Sequence, residues 1–294
     1  AMRAARQSGP SGLAGMSALR EWGGVRLLRP LLGLTKHALQ ATLAARGQDW
    51  IEDPSNRDPA FERARLRQRE VDQDPRDAVP TLHRAGLERQ RLESDAAARL
   101  CADLTIHDSG WASLDPALLD GGPAAALALA WLLQTVGGTE YPVAPDRRVE
   151  GLARVRTLGA SGFTLGGCYL LLRAGRLQVC RDWGAIGDTI PVLPGIRLFW
   201  DRRFEIEMPR ELDLGPGVTI ARLGERGIRS LGRAPEKSEA GSGDSMPIAA
   251  RKALPALWQG DRLVAVPHLG FGPAVWAGFR PINPVTSSGF TVAY

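Results

Sequence analysis

The chain has 294 residues, 44% of them hydrophobic, and a formal net charge of +5. That apolar content can build one or more real cores, so a disordered chain is excluded and two or three domains are expected. The most apolar run, Ala124 to Leu133, is about half the length that crosses a bilayer, and the N-terminus lacks the order of basic, apolar and small residues that marks a signal peptide, so the chain reads as soluble.

In chain order, Thr35 to Gly47 predicts a short helix, with Thr35 as N-cap, Leu39 and Leu43 on one face, Arg46 in the last turn and Gly47 as a left-handed stop. Asp53-Pro54-Ser55-Asn56 predicts a turn: Pro54 fixes its own backbone angle, and the Asp, Ser and Asn side chains can bond nearby amides and cap the next helix. Pro59 suits the first turn of that second helix, which carries Arg63 and Arg67 on one side. Leu82 to Leu104 is helical in pattern, with Ala96, Leu100 and Leu104 at four-residue intervals. Ala124 to Val136 predicts a buried helix ended by Gly137-Gly138. Asp146 to Leu158 offers a third, with Val149, Leu152 and Val155 inward and Arg147, Arg148, Arg154 and Arg156 turned to solvent.

The texture changes near Ser161. Phe163–Leu165, Tyr169–Leu172 and Leu177–Val179 are short apolar runs separated by Gly166-Gly167 and Ala174-Gly175, the punctuation of hairpins. Further strands are expected at Arg197–Trp200, Phe204–Met208, Val218–Leu223, Leu263–Val266 and Phe290–Val292, and Arg233 to Met246 reads as a mobile polar loop. The fold class is therefore α+β. Its expected segments are 1–72, carrying the DPSN turn and the arginine helix, a helical domain over 73–160, and a β-rich domain over 161–294.

The positive charge is almost all guanidinium, because lysine occurs only at Lys36, Lys237 and Lys252. Guanidinium forks onto phosphates and stacks on bases, which fits a nucleic-acid partner. The same skew, with abundant Ala and Gly, is also what a GC-rich genome produces. Cys101, Cys168 and Cys180 form no CxxC pair, and His37, His83, His107 and His268 have no helical-spaced partner, so neither a disulfide scaffold nor a metal site is expected. A reducing cytoplasm is the simplest setting. Gly241-Ser242-Gly243-Asp244-Ser245 looks like a phosphate loop, but Pro235 to Glu239 before it is no strand, so no helix N-terminus would meet phosphates there. The eight tryptophans are core residues or base-stacking platforms, and Trp131 inside an apolar helix reads as core.

Three segments in order, Leu28-Arg29-Pro30-Leu31-Leu32, Trp50-Ile51-Glu52-Asp53-Pro54-Ser55-Asn56 and Phe61-Glu62-Arg63-Ala64-Arg65-Leu66-Arg67, resemble the tRNA(Ile)-lysidine synthetases, a PP-loop ATPase family. Arg6-Gln7-Ser8-Gly9-Pro10-Ser11-Gly12-Leu13-Ala14-Gly15-Met16 is similar to that family's RGSG-GLAGM segment. Phe163 to Cys168, Leu254 to Trp258 and His268-Leu269-Gly270 extend the likeness toward the C-terminus. The sequence departs from the pattern at Gln7, where a glycine is usual, and at Ala64, where an asparagine is.

The resemblance implies an enzyme that adenylates the wobble cytidine of an isoleucine tRNA with ATP and magnesium, then lets a lysine amine displace AMP. It implies that residues 1–72 are the helical rear of a PP-loop catalytic domain, and that Arg29, Asn56, Arg63 and Arg67 position or contact tRNA phosphates. Asp53, Pro54 and Ser55 hold the turn. The family's SGGxDS loop lies upstream of the point where this sequence begins, with Ala1 before Met2 reading as a tag remnant, so no catalytic residue, ATP or magnesium is assigned to this chain. The expected partners are tRNA and a missing or separate ATP-binding domain; the oligomeric state is left open. Gln7 and Ala64 keep a rival reading open, a truncated or degenerate paralogue acting as a protein-interaction module, beside that of one subunit of a split enzyme.

Overall fold

A computed structural model of the chain describes residues 10–22, 25–52, 75–159, 161–212, 214–232, 245–285 and 289–292. It mixes helices with antiparallel sheets, an α+β fold. Two compact units divide it, one of residues 1–95 with 288–294, the other of residues 96–287.

The first unit opens with α1 (Pro10–Leu13) and a hairpin of β1 (Leu19–Trp22) and β2 (Val25–Leu28), paired from Leu19 with Leu28 to Trp22 with Val25. Helix α2 (Lys36–Ala45) starts where expected, because the Thr35 hydroxyl accepts the Ala38 N–H at 3.1 Å. It stops at Gly47, whose φ is +62°. Helix α3 (Pro75–Asp103) begins earlier than its apolar pattern does and keeps Pro80 inside it. Its residues up to 95 belong to this unit and the remainder to the second.

The last described residues do not form the strand expected at Phe290–Val292. The Thr291 carbonyl accepts the Ala18 N–H at 2.8 Å, while the Thr291 N–H is spent on the Ser17 hydroxyl, so no ladder of alternating backbone bonds develops. The segment is held by α3 instead. The Glu93 carboxylate accepts the Phe290 N–H at 2.6 Å, and Arg89, paired with Glu93, lies 4.5 Å over the Phe290 ring.

The second unit is built on a five-stranded sheet in the order β3 (Thr105–Ile106), β4 (Ala112–Leu114), β7 (Arg176–Arg181), β6 (Cys168–Arg173) and β5 (Phe163–Leu165). Helices α4 (Gly122–Gly137) and α5 (Pro145–Arg156) pack with it, so that Leu129, Leu132 and Leu133 share one core with Leu114, Leu165, Leu170 and Val179. The boundary expected at residue 160 therefore runs through a single core. The two- and three-residue strands β3 and β4 are too short for their alternation to show in the sequence.

Gly138 ends α4 at φ +61°, and a side chain there would meet the Asp201 carbonyl oxygen at 2.7 Å, so both conformation and space demand glycine. Val149 of α5, expected inward, is 64% exposed, whereas Gly151, Leu152 and Val155 are buried.

The remaining strands make two smaller sheets, β14 (Trp276–Phe279) with β10 (Phe204–Glu207) and β9 (Arg197–Trp200), and β13 (Arg262–Ala265) with β12 (Pro255–Gln259), β11 (Val218–Arg222) and β8 (Ile190–Pro191). Phe204 and Ile206 pack with Ile220 and Leu257 in their shared core. A satellite core of Leu223, Leu254, Trp258 and Leu263, which Ile228 and Leu231 of α6 (Gly224–Leu231) join, sits by the short α7 (Ile248–Lys252). Residues 233–244, most of the expected polar loop and part of the Gly241–Ser245 motif, lie outside the described residues.

Candidate nucleic-acid interface

Of the residues singled out from the sequence, Arg29 is described. Its Nη1 donates to the Ser17 carbonyl at 2.9 Å and its backbone N–H to the Ala18 carbonyl at 2.8 Å. Arg29 thus ties the outgoing end of the hairpin to the chain entering it, and it is half-buried. Asp53, Pro54, Ser55, Asn56, Arg63 and Arg67 lie outside the described residues. The chain leading to them is anchored on α2: the Glu52 carboxylate accepts Lys36 Nζ at 2.9 Å, Gln40 Nε2 at 3.1 Å and Trp50 Nε1 at 3.4 Å. Sequence periodicity marks α2 but not this clasp, which joins residues up to sixteen apart.

Helix α5 carries the basic element. Its Leu152 and Val155 face is buried, leaving Arg147, Arg154 and Arg156 exposed. The four arginines are less free than the sequence suggests. Arg148 is half-buried, donates to the Val143 carbonyl at 2.5 Å, and has its pKa lowered by that burial. Arg154 lies 4.0 Å over the Phe163 ring, Arg147 pairs with Glu150 at 3.3 Å, and Arg156 pairs with Asp120 at 3.1 Å. These contacts orient the guanidinium groups. Each has five donors and exposed ion pairs contribute little, so Arg147, Arg154 and Arg156 keep N–H groups for phosphate oxygens.

A second arginine group is structural and was not found from sequence. Arg181 forks onto Asp201 at 3.1 and 3.0 Å, and Arg203 Nε reaches the same carboxylate at 2.7 Å, all three residues being buried. Carbonyls take further N–H groups: Gly167 and Ala185 accept from Arg181, Gly110 and Ala253 from Arg203. Burial lowers the Arg203 pKa, and the neighbouring Asp201 charge works against that shift. The sequence signal, Asp201-Arg202-Arg203 in a turn, does not point to Arg181, which joins only when β7 packs beside that turn.

A cleft of about 450 Å³ opens between the Trp183–Thr189 loop and the junction of β11 with α6. Arg222 Nη1 donates to the Trp183 carbonyl at 2.7 Å and the Ile186 carbonyl at 2.5 Å, fixing the loop to β11. The Arg226 guanidinium carbon lies 3.9 Å from the centre of the buried Trp258 ring, and the group pairs with Asp261. Lys252 Nζ stands 5.0 Å from the Trp183 ring centre and bonds Glu225 at 3.0 Å. Gly227 lets α6 come this close, since a Cβ there would lie 3.3 Å from the Trp258 ring and collide with Leu223.

Trp111, Trp200 and Trp258 are core residues, Trp131 is half-buried against the core, and Trp50 and Trp276 are exposed. Cys168 and Cys180 are buried and Cys101 is exposed. Burial pushes the Cys168 thiol up to about 12 and the Cys180 thiol higher. Among the described residues no three His, Cys, Asp or Glu side chains gather as metal ligands, and no helix is long and apolar enough to cross a membrane.

Comparison with known proteins adds an independent observation. A family model of the PP-loop domain matches residues 1–73. A protein of Ruegeria pomeroyi named tRNA(Ile)-lysidine synthase is 34% identical over 284 residues, covering 92% of this chain and 62% of that protein. Proteins of the same name from Hyphomonas neptunium and Pseudomonas aeruginosa are 37% and 30% identical, covering 61% and 91% of this chain and 50% and 64% of their own lengths. The chain thus spans less than two thirds of each of these relatives.

Proposed function

The chain belongs to the PP-loop tRNA(Ile)-lysidine synthase family, and from that premise we propose that it grips tRNA for a ligase that attaches lysine to the wobble cytidine of an isoleucine tRNA. The observation that carries this reading is the match to the Ruegeria pomeroyi protein, which takes in 92% of the chain and so is not confined to the PP-loop segment. The arginine face of α5 supports it, since guanidinium groups with spare donors suit a phosphate backbone. Arg63 and Arg67, with Asn56, are the residues we place nearest the reacting base; Arg29 positions the hairpin and offers its remaining donors. To Asp53, Pro54 and Ser55 we assign a turn-forming role, on their residue types alone. The setting we propose is the cytoplasm.

ATP and magnesium belong, in this reading, to the complete family enzyme. Among the described residues, the loop from β2 to α2, Arg29 to Thr35, has the single glycine Gly33 and does not fit a glycine-rich pyrophosphate loop. In this reading the candidate arginines orient RNA: phosphate contacts fix register, and each guanidinium contact releases a condensed counterion.

Binding of the purified chain to an isoleucine tRNA with a CAU anticodon, against a noncognate tRNA over a salt series, tests the proposal. The expected result is salt-sensitive binding that weakens for Arg63→Ala and Arg67→Ala. Absence of binding at low salt would contradict it and favour a protein-interaction module.

A further inference from the structure

The cleft between Trp183 and Trp258 has a chemistry that phosphate gripping does not use. Arg226 lines it with its guanidinium carbon 3.9 Å from the Trp258 ring centre and paired with Asp261, so two contacts hold the group in place before any ligand arrives. Trp183 lines the same space, with Lys252 Nζ 5.0 Å and the Arg222 guanidinium 5.4 Å over its ring. Asp188 and Glu225 add two carboxylates to the lining. The volume, about 450 Å³, is in the range of small-ligand sites and admits a nucleotide, whereas an RNA duplex is far too wide to enter it.

A flat guanidinium, an aromatic ring, cations and carboxylates together match one ligand class. Bases unstacked from a helix are held between aromatic rings or guanidinium planes and read along their edges. A carboxylate accepts from exocyclic amino groups, which guanine, adenine and cytosine have and uracil lacks. A lysine held beside the ring suits the phosphate that accompanies the base.

We propose that this cleft receives one unpaired nucleotide with an amino-bearing base, stacked on Arg226 and Trp183, read by Glu225 and Asp188, and neutralised by Lys252. The proposal rests on the tRNA-binding reading for its source, an unpaired position in the bound RNA, although the chemistry would equally hold a free nucleotide. Pre-orientation of Arg226 by Trp258 and Asp261 lowers the ordering cost on binding.

The test uses the whole chain and reads tryptophan fluorescence, which a base stacked on Trp183 quenches. Guanosine 5′-monophosphate is titrated first, with uridine 5′-monophosphate as the base lacking an amino group, then a single-stranded RNA with one guanosine among uridines. The expected result is quenching by the guanosine ligands that Trp183→Phe removes, and about a tenfold loss of affinity in Arg226→Ala, the size expected of one stacked base. Glu225→Gln should reduce the preference for guanosine over uridine while leaving the circular dichroism and melting of the chain unchanged. Tighter binding of the strand than of the mononucleotide identifies RNA as the source; the reverse identifies a free nucleotide.

Quenching that is identical in wild type and Trp183→Phe, or absent for the mononucleotide and the strand alike, would overturn the cleft assignment whatever the tRNA assay gives. Loss of tRNA binding by the wild-type chain with mononucleotide quenching intact would instead contradict the tRNA-gripping reading and leave the cleft.

Discussion

The described residues of 10–52 and those of 96–285 fold by different means. In the second region Leu114, Leu129, Leu132, Leu133, Leu170 and Val179 are fully buried in one core, and Trp200, Phe204, Ile206 and Ile220 in another. In the first, α2 has no buried residue, every residue of β2 is exposed, and Leu28, Leu31, Leu34 and Ile51 face solvent. Hydrogen bonds and caps specify its local shape, from the Thr35 cap to the Glu52 clasp, with little apolar burial among the described residues. Local signals can therefore set an element's conformation where packing contributes almost nothing, and the two regions should answer differently to the same kind of substitution.

The largest effect is expected at the buried charges. Asp201→Asn keeps a residue that tolerates the φ of +50° at that turn but leaves Arg181 and Arg203 buried without a counter-charge, so a loss of about 3–5 kcal/mol in urea unfolding is expected. A loss below about 1 kcal/mol would mean water reaches the cluster. Leu133→Ala, in the core of the second region, should cost about 2–5 kcal/mol by the same assay.

Thiol chemistry sharpens the picture next. One cysteine, Cys101, should react with a chromogenic disulfide at pH 8 in the native chain, and all three after unfolding. Because folding raises the Cys168 pKa from 9.0 to about 12, the folded form keeps a proton that the unfolded form releases, and this contribution to stability falls as pH rises from about 9 toward 12. Early reaction of a second thiol would show that the core opens.

In the first region the effects should be small. Thr35→Ala removes the cap of α2 at a cost of about 1 kcal/mol to that helix, read as faster amide exchange of Ala38 and its neighbours with the melting of the chain unchanged. Leu28→Ser should change unfolding by less than about 0.5 kcal/mol, because that side chain is already exposed. A loss of several kcal/mol at Leu28 would abolish the distinction between the regions.

The same contrast explains what the sequence discloses. Thr35 and Gly47 bound α2, and Gly138 ends α4, since caps and stops act within a few residues. The strands at Phe163–Leu165, Cys168–Arg173 and Arg176–Arg181 are visible because glycine turns separate apolar runs. The hairpin of β1 and β2 is not, since every residue of the four-residue β2 is exposed and none imposes alternation.

Apolar spacing alone does not place Val149. At about 100° per residue, Gly151, Leu152 and Val155 occupy one arc and Val149 falls about 60° beyond its edge. Of the site, the arginines of α5 are legible, but their partners Asp120, Phe163 and the Val143 carbonyl are not, and neither are Arg181 with Asp201 or the cleft around Arg226. All of these are assembled from segments that meet only after the sheets pack.

The most direct test of the tRNA-gripping account is the salt dependence of tRNA binding, compared between the wild-type chain and a variant with Arg147, Arg154 and Arg156 changed to alanine. The account predicts that the slope of log affinity against log salt becomes shallower by about 1 for each arginine that contacts a phosphate, with affinity falling about equally for cognate and noncognate tRNA. An unchanged slope and affinity would contradict a phosphate-gripping role for α5.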